Sequence, residues 1–286
     1  MEVLFMSVKG YDTNVQLTQT KINVLKADTN WHSLNEKIFV GRYITSVNPN
    51  EKRLAPGEVE LISANGIDIV SLYQRSASSM DYFTEDQAFT DAKAAAEKAA
   101  GYHQPNGTPI YFCVDVANVN YSDASIIAVF KVYFAKIKQT LAISAYNPKG
   151  YAMAVYGPEK LCMAIKNEYP SIYTMKGNPQ NNEMTNHTIR QFYTQSSLYP
   201  INGSVTVQVD RCIAQTSAYG GWQYHSFTGP WQNYNNPSWH RRKCSMCNQY
   251  EREAHTLNAM GTRCIVCGYD GPVAYPQKGG TDGETE

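Results

Sequence analysis

The chain has 286 residues, 43% of them hydrophobic, which suits one large domain plus a small one, or two medium ones. Lysine and arginine balance aspartate and glutamate at 25 each, so the basic excess of a nucleic-acid-binding protein is missing. There is no run of about 18 apolar residues to span a membrane and no charged leader of the secretory kind before Gly10. The expectation is a cytoplasmic product that, if it acts outside the cell, leaves with a phage particle or by a non-classical route.

Eight short apolar, β-branched or aromatic runs follow one another: Val3–Tyr11, Ile38–Ile44, Ile67–Tyr73, Ile110–Val116, Tyr151–Tyr156, Ser171–Met175, Thr188–Tyr193 and Val205–Ile213. Near-continuous apolar runs of this kind suit strands buried on both faces. Helical patterns lie between several of them. Part of 15–34 is one, and Pro56–Ala64, ending at Asn65-Gly66, is another. Glu85–Ala100 is the clearest, with Thr84 as N-cap, Gln87 completing a capping box and Gly101 at the C-terminal stop. Ser122–Ala145, capped by Ser122, and Pro158–Glu168 complete the set, and no long helix follows the sixth or seventh strand. Strand-helix alternation predicts an α/β fold, a (β/α)8 TIM-like barrel over residues 1–219. No G-x-G-x-x-G or Walker pattern supports a doubly wound sheet.

In such a barrel the chemistry sits where the strands end. Asp12, Asp115 and Asp210 fall there, far apart in sequence, together with Gln74, Tyr43, Tyr156, Gln191 and Tyr193. Each aspartate alone could be a helix cap. Jointly they describe a polar pocket, with the three acids as candidate catalytic groups and the Gln and Tyr residues as candidate sugar contacts. Glycosidic cleavage needs one carboxyl to protonate the leaving oxygen and a second to stabilise the cationic centre. Clustered carboxylates supply the first by raising one pKa. No histidine ends a strand, and His32, His103 and His187 are expected at the surface, so metal-assisted hydrolysis is disfavoured.

Several segments resemble one family: Lys9-Gly10-Tyr11-Asp12, Phe39–Ile44, Leu54–Val59, Gly66–Val70, Asp91-Ala92 with its Ala-rich helix, Pro109–Asp115, Gly150–Gly157 and Arg190–Phe192. They look like the bacterial glycoside-hydrolase-like barrel domain related in fold to family-25 muramidases, which cut peptidoglycan. The resemblance covers roughly residues 7–215. It implies hydrolysis of peptidoglycan or a related amino-sugar polymer by carboxylate acid/base catalysis, with Asp12 and Asp115 as the first- and fourth-strand acids and Asp210 as the eighth. One departure matters: relatives carry a second carboxylate two residues after the fourth-strand Asp, and here that position is Ala117. The alternative is therefore a degenerate barrel that binds a glycan or a protein without cleaving it.

Residues 220–242, rich in Trp, Tyr and Asn, read as an aromatic linker. Residues 243–273 hold Cys244-x-x-Cys247 and Cys264-x-x-Cys267, sixteen residues apart. That spacing predicts a zinc ribbon with a structural zinc site of four cysteine thiolates, two disulfides being the alternative and His255 a spare ligand. The ribbon is expected to anchor the chain or to meet a protein partner. Arg241, Arg242 and Lys243 are too few, and too well offset by nearby acids, to suggest nucleic acid. The tail, 274–286, has the composition of a disordered segment. Cys113, Cys162 and Cys212 lie in apolar runs and read as buried small hydrophobes.

Overall fold

A computed structural model describes residues 7–45, 52–76, 79–169, 171–175, 187–198, 205–216, 218–246 and 249–270. The chain divides into two compact units, 1–224 and 225–286. No helix among the described residues is long and apolar enough to cross a membrane.

The first unit is an α/β fold around a curled, mostly parallel sheet. In chain order it runs β1 (Val8–Asp12), α1 (Gln19–Lys26), β2 (Ile38–Tyr43), α2 (Glu58–Ala64), β3 (Asp68–Tyr73), α3 (Glu85–Gly101), β4 (Pro109–Cys113), α4 (Ala124–Leu141), β5 (Ala152–Pro158), α5 (Glu159–Ile165), β6 (Ile172–Met175), β7 (Ile189–Leu198) and β8 (Val207–Ala214). Neighbours pair in sequence order, and β8 returns to β1 to close the sheet. Strands β1 to β7 are parallel, but β8 runs antiparallel to both β7 and β1. This corrects the expectation of eight like βα units. The physical reason is the short connection after β7: a parallel crossover needs a dozen or more residues, whereas about eight suffice for a hairpin.

Inward and outward faces alternate with period two along each strand. Phe39 and Tyr43, Val70 and Leu72, Tyr111 and Cys113, and Ala154 and Tyr156 form one buried cluster with Ile189, Cys212 and Tyr219. The opposite faces join the helices in the larger core, where Phe112, Phe130, Phe134 and Ile137 are fully buried. Gly10 is required at the seam with β2, because a Cβ there would stand 2.5 Å from the Phe39 ring. At the end where the strands begin, Tyr111 donates to the Tyr219 carbonyl at 2.9 Å, and Trp222 bridges to Ile69 of β3. The start of the expected linker, through Trp222, thus belongs to the first unit.

Local signals explain most helix starts. The Thr84 hydroxyl accepts from the Gln87 amide at 3.1 Å, a cap that contributes about 1 kcal/mol. Helix α3 runs through Gly101, and His103, with φ 60°, takes the left-handed position expected of that glycine. Helix α4 is capped by Asp123, not Ser122, since the Asp123 carboxylate accepts from the Ser125 amide at 2.8 Å. His32 is buried, contrary to expectation: its Nε2 lies 2.9 Å from the Leu25 carbonyl. His187 is buried as well, and Cys113, Cys162 and Cys212 are buried as expected.

The second unit is built on a hairpin of β9 (Trp239–Lys243) and β10 (Tyr250–Ala254). Its first strand lies inside the stretch expected to be linker. Trp239 begins the ladder opposite Ala254, and His240 beside it is fully buried.

Candidate active site

Asp12 is the last residue of β1 and is 4% exposed. Strand β8 pairs with β1 so that Asp210 stands directly opposite Asp12. In an antiparallel pair, opposed side chains share a face with Cβ atoms about 4.5–5.5 Å apart. Asp210 therefore reaches the mouth of the barrel from the first half of an antiparallel strand, not from the end of a parallel one. The two acids line a cleft of about 180 Å3 with Thr13, Asn14, Tyr43, Lys52, Asp115, Tyr156, Gln191 and Gln208. Asp115 is exposed on the segment that follows β4, and Ala117 beyond it is exposed too. A larger concavity, about 720 Å3, lies between α4 and α5, lined by Ile127, Lys131, Lys160 and Met163, and contains no carboxylate.

A chain of hydrogen bonds joins the two opposed acids. The Tyr156 hydroxyl lies 2.8 Å from Asp12 Oδ2 and 2.8 Å from Gln191 Oε1. Gln191 Nε2 donates to Asp210 Oδ2 at 2.6 Å, which fixes the orientation of that amide. A tyrosine hydroxyl has one proton, so Tyr156 can donate to Asp12 or to Gln191 but not to both. When Asp12 carries a proton it donates to Tyr156, and Tyr156 donates to Gln191. When Asp12 is ionised, Tyr156 turns to it. The chain thus links the Asp12 carboxyl to the amide that holds Asp210.

Burial pushes the Asp12 carboxyl up to about 7; the Tyr156 hydroxyl opposes the rise, the Asp210 carboxylate adds to it, and Arg42 and Lys52 oppose it from further off. Its Oδ1 is buried with no hydrogen-bond partner. Burial also raises Asp210, against the opposing bond from Gln191. Burial holds the Tyr43 hydroxyl well above its ordinary value, so Tyr43 is a neutral donor and acceptor on the wall.

A buried ion pair between β2 and α2 anchors the segment that follows Asp12. Arg42 is fully buried; its Nε donates to Glu58 Oε1 at 2.8 Å and its Nη1 to the Thr13 carbonyl at 2.5 Å. Glu58 also accepts from the Leu17 and Ala55 amides, at 3.1 and 2.7 Å. The Thr13 hydroxyl donates to the Gln208 carbonyl at 2.7 Å. The residue after Asp12 is thus tied to both β2 and β8.

Of the residues expected at the site, Asp12, Asp115, Asp210, Tyr43, Tyr156 and Gln191 line one cleft. Gln74 is buried beside it, accepting from Lys52 Nζ at 3.2 Å. Tyr193 is on β7, and its side chain lies outside the described residues. Lys52 was not anticipated. It lies in a polar loop with no periodic signal, and its Nζ sits 5.2 Å from the centre of the Tyr43 ring.

In the second unit, the ligand atoms of His240, His255, Cys264 and Cys267 all lie within 4.8 Å of one another. Cys264 and Cys267 stand together in this group. Cys244 is buried at the turn end of the hairpin and is not in the group, and Cys247 lies outside the described residues.

Known proteins share parts of this chain and its fold. A curated relative is the uncharacterized protein FadG of Bacillus subtilis (strain 168), 31% identical over 130 residues, which are 44% of this chain and 22% of that protein. The match spans about a fifth of that relative's length. Among solved structures, the Tat-secreted protein Rv2525c of Mycobacterium tuberculosis in complex with L-tartrate is 19% identical, with a TM-score of 0.52 over 76% of this chain and 98% of the other. A family 25 glycosyl hydrolase from Bacillus anthracis is more distant, at 14% identity and a TM-score of 0.45 over 76% and 92% of the two chains. The Rv2525c likeness shows a shared fold. The family described as Rv2525c-like, glycoside hydrolase-like domain matches residues 30–258, well over half of the length, and the chain belongs to that family.

Proposed function

We propose that the cleft hydrolyses a glycosidic bond in peptidoglycan or a related amino-sugar polymer, with Asp12 as proton donor. The observation that carries this reading is the state of Asp12: a cleft-lining carboxyl, raised to about 7, with one oxygen free of any partner. At neutral pH such a group still holds a proton to give to a leaving oxygen. Asp210 faces it across the strand pair and, in ionised form, would stabilise positive charge at the anomeric carbon. Asp115, exposed at the rim, is the second candidate for that task. Tyr43, Gln191 and Gln74 would hold sugar hydroxyls or an N-acetyl group.

The test is a digest of purified peptidoglycan with the full chain and with Asp12→Asn, Asp210→Asn and Asp115→Asn, read by mass spectrometry of released fragments. The expectation is new reducing ends from the wild type and none from Asp12→Asn. Of the other two variants, the one that loses activity identifies the stabilising acid. If folded wild type releases nothing from several wall types, hydrolysis is refuted.

A second reading is favoured by Ala117, exposed two residues after Asp115, where the family resemblance leads to the expectation of an acid. On that reading the barrel binds a glycan without cutting it. Calorimetry with muropeptides separates the two: binding without turnover at pH 5 to 7 supports the second.

A further inference from the structure

The C-terminal unit has too little apolar interior to explain its order. Among its described residues the buried ones are His240, Cys244, Cys264 and Tyr269, and neither hydrophobic cluster includes a described residue beyond 224. A module of this size rarely holds its fold without a staple such as a disulfide or a metal, and neither Cys264 nor Cys267 is disulfide-bonded. What it does bury is a meeting of nitrogen and sulfur atoms. Cys264 Sγ lies 3.4 Å from His240 Nδ1, and Cys267 Sγ lies 3.6 Å from His255 Nδ1. Tetrahedral zinc with Zn–S near 2.3 Å and Zn–N near 2.05 Å separates neighbouring S and N ligands by about 3.5 Å.

The outer faces of both rings fit the same role. His255 Nε2 lies 2.8 Å from the Asn236 carbonyl. A carbonyl only accepts, so Nε2 carries the proton and Nδ1 presents its lone pair to the centre. His240 is fully buried; its Nε2 has no hydrogen bond and faces the Glu253 carboxylate at 3.7 Å. The Cys264–Cys267 turn is closed by the Gly268 amide donating to the Cys264 carbonyl at 3.0 Å. Gly268 adopts φ 76°, the left-handed region that favours glycine.

We propose that His240, His255, Cys264 and Cys267 bind one Zn2+ as a tetrahedral site of two nitrogens and two sulfurs, in place of the four-thiolate site suggested by the two Cys-x-x-Cys pairs. The strand register supports the reassignment. His240 pairs with Glu253, and His255 follows Ala254 at the open end of the hairpin, whereas Cys244 follows Lys243 at the turn end. The four residue steps from His240 to Cys244 span roughly 13 Å of extended chain, too far for both to reach one ion.

The test uses the full chain. Elemental analysis is expected to give one Zn2+ per chain, and X-ray absorption at the zinc edge a shell of two sulfurs and two nitrogens. Cys244→Ser should keep the full equivalent with unchanged affinity for Zn2+ in competition with a chromophoric chelator. His255→Ala should weaken it by at least about a hundredfold, beyond the usual loss on removing an outer partner of a ligand. The absorption measurement needs no variant and stands even if His255→Ala fails to fold. A four-sulfur shell, loss of zinc in Cys244→Ser, or purified wild type that binds no added Zn2+ would each overturn the proposal. In the last case the short N···S contacts are thiol–imidazole hydrogen bonds only.

Discussion

Asp12→Asn should make the first unit more stable at alkaline pH while leaving it unchanged in acid. The carboxyl has an unperturbed value of 3.8 and is held at about 7 in the folded chain. Between those two values the folded state binds a proton that the unfolded state has lost, so stability falls as pH rises from 4 to 7 and stays low above. Roughly three pKa units at 1.36 kcal/mol each amount to about 4 kcal/mol. Asparagine does not titrate and copies the acid form: its amide can donate to the Tyr156 hydroxyl, which then donates to Gln191. The difference between variant and wild type should be near zero at pH 4 and approach 4 kcal/mol at pH 8. For a domain of this length that is roughly 10 °C in Tm. The assay is urea unfolding of both proteins across pH 4 to 8, taking the difference so that the titrating groups uncoupled from Asp12 cancel. Parallel curves would refute the argument, because they would mean that Asp12 ionises in the fold as easily as in the unfolded chain. The same substitution should abolish release of reducing ends, the trade between stability and chemistry expected where a fold holds an acid against its preference.

Wild-type hydrolysis should lose rate as pH rises through about 7, since the donor must hold its proton; a flat profile to pH 9 would remove Asp12 from that role. Gln191→Leu takes a donor from Asp210 and an acceptor from Tyr156, so the acidic limb of the profile should move to higher pH while the fold persists by circular dichroism. Asp91→Ala should destabilise by about 3–5 kcal/mol in urea melts, because it strands the hydroxyls of Tyr73, Tyr82 and Tyr133, which donate to that fully buried carboxylate at 3.0, 2.6 and 2.6 Å. Glu58→Ala leaves Arg42 buried without its partner and should cost about as much; a loss under 1 kcal/mol would contradict the buried-pair reading.

The strands were legible because their signal is local. Each of the eight apolar runs contains or overlaps a strand, since side chains buried on both faces leave a continuous apolar trace. Thr84 and Gln87 announced α3 for the same kind of reason: a cap is settled within four residues. The direction of β8 was not legible, because an apolar strand looks the same whichever way it runs. The cue was the short interval after the seventh run, which allows a hairpin and forbids a crossover. The proposed metal-ligand set was hidden by a stronger pattern. Two Cys-x-x-Cys pairs read as one site, whereas His240 and His255 carry no spacing signal until the hairpin register sets them side by side. Lys52 had no signal of any kind; only the approach of its loop to Tyr43 and Gln74 brings it in.

The reversal of β8 bears on the chemistry as well as on the topology. Had β8 been parallel, Asp210, near the middle of Val207–Ala214, would have lain below the strand ends and away from Asp12. Run antiparallel, the strand sets Asp210 in register with Asp12 and puts Gln191 of β7 within reach of it. Two like charges directly opposed on one face destabilise a strand pair, and a fold can relieve that by leaving one of them protonated. Burial and the facing carboxylate raise Asp12, while at Asp210, which is less deeply buried, the bond from Gln191 opposes the rise. On the proposed reading the two acids differ in depth, and Gln191 links the hydrogen bonds that each accepts, touching Tyr156 on one side and Asp210 on the other. For that reason Gln191, more than either aspartate, is the residue whose replacement should blur the two roles.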